Sequence, residues 1–185
     1  KVWAVFTVMQ PGTNGVASTR LYGGTVQQFT NTIRKFGWSA KLVDFDDPKA
    51  IAAAIDDNTR ALFCETICNP GGAISDLDAI ARVADRHGIP LIVDNTTATP
   101  YLCRPIEHGS TLVVHSTTKY LTGTGTVTGV AVVYSVKFAW SKPPGQFAPL
   151  IEPDTPYQRL HLPTTLEPID EYIPPLPLAL PTPAL

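Results

Sequence analysis

The chain has 185 residues, 44% of them hydrophobic, with a formal net charge of -2 and a pI near 6.1. That length and apolar share suit one domain with a real core. The near-neutral balance offers no basic surface for nucleic acid or an anionic membrane, and no apolar run approaches the ~20 residues that cross a bilayer.

The opening KVWAVFTVMQPG imitates a short signal peptide, with one positive charge before an apolar run, but it lacks a starting Met and a small-residue cleavage site. Trp3–Met9 has helical character and is stopped by the turn signal Gln10-Pro11-Gly12. It begins with no cap before it, as a piece of something longer would. Gly15–Ser18 reads as a short strand. Tyr22-Gly23-Gly24-Thr25 reads as a loop leading into a helix through Phe36, ended by Gly37. A strand is expected over Lys41–Phe45. Asp47 then caps a helix that starts on Pro48 and runs to about Ile55. The neighbouring Asp44 and Asp46 read as a solvated edge, and no metal site is expected.

Arg60–Glu65 is the next strand, followed by a turn at Asn69-Pro70-Gly71-Gly72. Ser75-x-x-Asp78 resembles a capping box. After it, Leu77, Ile80, Ala81 and Ala84 recur on one helix face, closed by His87-Gly88. Two apolar runs follow. Leu91–Val93 leads into Asp94, and Leu112–Val114 leads through His115 into Ser116-Thr117-Thr118-Lys119, with a Pro-punctuated irregular segment between them. A last strand is expected near Val130–Tyr134. His115 is expected to face the core and His87 to cap a helix.

Short apolar strands alternating with helices imply an α/β fold with a mostly parallel sheet and helices on both faces. Ligands of such sheets sit beyond the carboxyl ends of the strands, where Glu65, Asp94 and Ser116 fall. The three cysteines, Cys64, Cys68 and Cys103, form no even framework and fit a reducing, cytoplasmic compartment. Cys64 and Cys68 lack a second pair of soft ligands, so they read as a half-buried strand residue and a loop residue. From about Pro143 the character changes. Twelve of the 18 prolines lie in the last 43 residues, which neither helix nor central strand accommodates. The expected division is therefore 1–142 as the folded domain and 143–185 as an irregular, extended tail.

A carboxylate at one buried strand end and a lysine past the next is costly unless something uses both, because desolvating a charge outweighs a packing contact. Pyridoxal 5'-phosphate (PLP) has a ring nitrogen that wants an acid, an aldehyde that wants an amine, and a phosphate that wants hydroxyls and N–H groups. The ordered set L21-Y-G-G-T25, E65-x-x-x-N69-P, D94-N-T and H115-S-T-T-K119-Y closely resembles the Cys/Met-metabolism PLP enzymes. Within them, TATPYLCRPIEHG looks most like the O-acetylhomoserine sulfhydrylases, also called O-acetylhomoserine aminocarboxypropyltransferases. The resemblance covers roughly residues 1 to 157.

What the resemblance implies is the large domain of a fold-type I PLP-dependent transferase, truncated, with the small C-terminal domain absent. It implies that Lys119 holds the cofactor as a Schiff base and later shuttles protons between substrate carbons. Asp94 faces the pyridine nitrogen, and Ser116 and Thr118 offer hydroxyls to the phosphate ahead of a helical turn. Tyr22 lies over the cofactor face and assists proton transfer, and Asn69 bonds the phenolic oxygen. The implied reaction replaces the γ-acetoxy group of O-acetylhomoserine with sulfide or methanethiol, giving homocysteine or methionine, in a homotetramer of close dimers. Competing readings are a cystathionine γ-synthase or γ-lyase type of enzyme, or an inactive remnant. A nucleotide binder is disfavoured because no G-x-G-x-x-G follows any strand. The sequence departs from the family's Gly-Gly-His-Gly after Lys-Tyr, with Thr122-Gly123-Thr124-Gly125 in its place. It also lacks the family's substrate-gripping arginine domain.

Overall fold

The computed structural model describes residues 8–135, 137–140 and 146–147. The segment expected to be helical at Trp3–Met9 lies outside them apart from its last two residues, and the Pro-rich tail lies outside apart from Gln146 and Phe147. The chain divides into two compact units, Lys1–Ser135 and Val136–Leu185. In the second, Phe138, Trp140 and Phe147 meet edge to face with centroids 4.6 to 6.0 Å apart, the arrangement that aromatic quadrupoles favour.

The first unit is built on a six-stranded sheet: β1 (Asn14–Ser18), β2 (Ser39–Val43), β3 (Thr59–Glu65), β4 (Leu91–Asp94), β5 (Leu112–Ser116) and β6 (Val130–Tyr134), in the order β2-β1-β3-β4-β5-β6. The first five run parallel and β6 pairs antiparallel on the edge beside β5. The unbroken apolar runs at β3, β4 and β5 follow from central parallel strands being buried on both faces. Leu62 and Cys64 join Leu91, Val93 and Val16 in one core. Phe63, between them, points to the other face and meets Phe29 edge to face at 5.2 Å.

Four helices are described: α1 (Gly23–Gln27), α2 (Pro48–Ala54), α3 (Leu77–His87) and α4 (Thr99–Leu102). Asp47 caps α2 by accepting from Lys49 N–H at 2.9 Å, and Pro48 occupies the first turn, where its missing donor costs nothing. Ile51 of α2 and Leu77, Ile80, Ala81, Val83 and Ala84 of α3 supply the helical side of the core. Gly88 ends α3 at φ 63°, a left-handed conformation that glycine adopts without strain.

Four expectations are corrected. The cap of α3 is Asp76, which accepts from Ala79 N–H at 2.9 Å, while the Ser75 hydroxyl donates to the Glu65 carbonyl instead. β2 lies two residues earlier than Lys41–Phe45, because its register on β1 runs from Asn14↔Ser39 to Ser18↔Val43. Beyond that register Asp44 and Asp46 turn away, with Asp46 bound to Arg20 at 2.6 Å. The helix after Tyr22 starts at Gly23, since the Tyr22 carbonyl already accepts from Thr25 and Val26 N–H. It then passes through a π turn (Gln28–Thr32) and a 3₁₀ turn (Ile33–Phe36) before Gly37. Cys64 is fully rather than half buried. All three thiols are free, and burial pushes those of Cys64 and Cys68 up, away from the nucleophilic thiolate. Among the described residues, no helix is long and apolar enough to cross a membrane.

Candidate functional site

β1 leads away to β2 on one side of the sheet while β3 leads to β4 on the other, so the two chain paths part at the carboxyl ends of β1 and β3. Such a switch point leaves a crevice that ligands occupy. A cavity of about 950 Å³ lies at this edge of the first unit, walled by the segments that follow β1, β3, β4 and β5. Glu65, Asp94 and Ser116 are the last residues of β3, β4 and β5. All six sequence-predicted site residues, Tyr22, Asn69, Asp94, Ser116, Thr118 and Lys119, line this one cavity.

Asp94 is 3% exposed and registered against Glu65 on β3 and Val114 on β5. Its Oδ1 accepts from Thr96 N–H at 3.0 Å and from the Thr96 hydroxyl. That hydroxyl oxygen in turn accepts from Ser116 N–H at 2.8 Å. Thr96 therefore bridges the ends of β4 and β5 and fixes one carboxylate oxygen. The signal for it was the Asp-x-Thr spacing, in which an aspartate side chain bonds the main chain two residues on. Next door, Asn95 N–H donates to the Val114 carbonyl at 2.9 Å and the Asn95 amide to the Cys103 carbonyl at 2.8 Å.

Lys119 is exposed, reached through Ser116, whose carbonyl accepts from Lys119 N–H at 3.2 Å. The helical turn expected here is a run of hydrogen-bonded turns, closed by Thr122 N–H on Thr117 and Gly123 N–H on Lys119. Gly123 and Gly125, both at positive φ near 70°, supply the left-handed bends of the rim beyond it. The Thr118 hydroxyl accepts from Gly129 N–H at 3.0 Å and keeps only a long 3.4 Å contact to the Gly129 carbonyl for its proton. Tyr22 is half exposed at the start of α1. Asn69 is exposed and precedes a cis bond to Pro70. His115 is buried beside Asp94, and desolvation holds its imidazole below the ordinary 6.5 although the Asp94 charge opposes this.

A second carboxylate completes the arrangement. Glu65, 4% exposed, accepts from Tyr22 N–H at 2.8 Å and from Asn69 N–H at 2.9 Å. It stood in the E65-x-x-x-N69-P motif with no role of its own; its position at a buried strand end, where an acid requires partners, was the available signal.

This geometry has close relatives. Sulfhydrylase FUB7 of Fusarium oxysporum f. sp. lycopersici is 44% identical over 157 residues, and the homocysteine synthase of Schizosaccharomyces pombe is 43% identical over 155. These alignments take in 84% and 83% of this chain but 36% of each relative, so the chain spans little more than a third of their length. A crystal structure from Campylobacter jejuni subsp. jejuni, of a candidate O-acetylhomoserine (thiol)-lyase carrying a pyridoxyl-lysine monophosphate, superposes with a TM-score of 0.84 at 36% identity. It covers 91% of this chain and 42% of that one. The family model described as Cys/Met metabolism PLP-dependent enzyme matches residues 2–165. That span carries every strand of the sheet and every wall of the cavity, and the chain belongs to the Cys/Met metabolism PLP-dependent enzymes.

Proposed function

We propose that the cavity binds PLP on Lys119 and serves γ-replacement on O-acetylhomoserine, with sulfide or methanethiol as the incoming nucleophile and homocysteine or methionine as product. The observation that carries this is the convergence of Asp94 and Lys119, from separate strand ends, on one cavity. The donor set fits the group. A buried acid suits a protonated ring nitrogen, an exposed amine suits an aldehyde, and the Ser116 and Thr118 hydroxyls suit a phosphate. Bound there, PLP supplies an electron sink for charge that develops at the substrate's α-carbon.

The chain's residues divide the rest of the work. Asp94 keeps a proton on the ring nitrogen, held at Oδ1 by Thr96. Lys119 anchors the aldehyde and, once released, is the base at the substrate carbons. Ser116 donates to the phosphate, and Thr118 exchanges its long Gly129 contact for the same acceptor. Tyr22 covers the ring face and Asn69 bonds the phenolic oxygen. The sulfhydrylase and homocysteine synthase names of the relatives support this reaction over cystathionine synthesis or cleavage. A cytoplasmic setting, supported by three free thiols, and the family's tetrameric assembly belong to the same proposal.

The test is to incubate the chain with PLP, reduce with borohydride and map the added mass. A visible absorption band and a single modified peptide at Lys119, both missing in Lys119→Ala, are expected. Colourless protein, or label scattered over several lysines, would sink the reading. Retained colour with no turnover of O-acetylhomoserine and sulfide would leave a PLP-binding remnant instead.

A further inference from the structure

We propose that Glu65 is a positioning residue of this site, holding Tyr22 and Asn69 at the cavity rim through their main-chain N–H groups; this rests on the PLP reading above. The two residues sit on different segments. Tyr22 follows β1 and Asn69 follows β3, and the chain leaves those strands toward opposite sides of the sheet. The strand ladder therefore ends before either residue, and the Glu65 carboxylate spans the gap, one oxygen to each N–H at 2.8 and 2.9 Å. One donor on each oxygen is the pairing that an ionised carboxylate satisfies well, and such bonds are among the stronger ones in proteins.

Packing alone does not call for an acid here. Two residues earlier on the same side of β3 stands Phe63, whose ring packs on Phe29. Burying a carboxylate in its place is costly unless its bonds repay it. The support beneath Glu65 is itself fixed: its carbonyl accepts from the Ser75 hydroxyl at 2.7 Å, and the next N–H, of Thr66, donates to the Asp94 carbonyl at 3.1 Å. At Tyr22 the N–H is held by Glu65 while the carbonyl starts α1, so the Cα that aims the ring is held from both sides. Glu65 acts through these two residues and need not touch the cofactor.

Glu65→Gln is nearly isosteric, keeps one acceptor and sets an NH₂ group against the other N–H. In the full chain, four readouts follow: amide exchange at Tyr22 and Asn69 without PLP, PLP affinity, circular dichroism of the bound chromophore, and thermal unfolding. Expected are faster exchange at one of the two amides, a roughly tenfold weaker PLP affinity and an altered chromophore signal, with unfolding close to wild type. In a Tyr22→Ala/Asn69→Ala background the same substitution should add almost nothing. Wild-type affinity and dichroism in Glu65→Gln would overturn the proposal. So would a tenfold loss that persists in that background, which would place Glu65 in direct contact with the cofactor. Should Glu65→Gln fail to fold, Glu65→Asp, too short to reach both donors, serves the same comparisons. A wild-type chain that takes up no PLP overturns the parent reading and this one together, before any variant is made.

Discussion

Thr96 shows how a single hydroxyl can tie two parts of a site together. It gives its proton to Asp94 and accepts the N–H of Ser116, so the acid and the turn that carries Lys119 share one support. Thr96→Val keeps the shape and removes both bonds, leaving a partly buried N–H without its acceptor. The expected loss is about 1–3 kcal/mol of folding stability, read from urea midpoints, together with weaker PLP uptake. A midpoint equal to wild type would mean the bridge contributes nothing. His115 gives a pH test. Burial depresses its pKa in the folded chain below 6.5, so the unfolded chain binds the proton more readily. Its contribution to stability is intact above 6.5 and declines as pH falls below that value toward the lowered one. The urea midpoint should drop on mild acidification and drop less in His115→Gln; equal slopes would assign the effect elsewhere.

At the scale of elements, the turn that delivers the chain from α4 to β5 is fixed by its closeness to α3. Gly109 has φ 85°, and a Cβ built there would lie 2.7 Å from the Ala81 Cβ on α3. Both the left-handed backbone and the contact exclude a side chain. Gly109→Ala is expected to cost about 2–3 kcal/mol in chemical denaturation, since strain and overpacking act together. An unchanged midpoint would show that the turn can move off α3 freely. This packing bears on function because β5 must keep its register on β4, with Val114 opposite Asp94, for Ser116 to meet Thr96.

For the whole chain, binding and folding are linked. A ligand held only by the folded state adds stability that grows with its concentration, about 2.7 kcal/mol at one hundred times its dissociation constant. Saturating PLP should therefore raise the thermal midpoint in a concentration-dependent way, and Lys119→Ala should lose most of the rise. The same rise in the variant would locate the binding away from Lys119. The experiment has meaning for this chain because one unit carries all the described walls of the cavity, although the chain spans little more than a third of its relatives' length.

The sequence by itself determined the alternation of strands and helices, the Asp47 and Gly88 boundaries, and six residues that line one cavity, because apolar periodicity, capping and a chain of linked motifs are local properties. It misplaced the cap of α3 and the bounds of β2, where the choice between neighbouring candidates fell to partners distant in sequence: Glu65 took Ser75, and β1 set the register of Ser39–Val43. Only the tertiary structure decided that Thr96 bridges two strand ends and that Glu65 ties Tyr22, 43 positions before it, to Asn69. A hydrogen bond across a switch point depends on how strands are ordered in space, and that order is settled by the packing of the whole sheet.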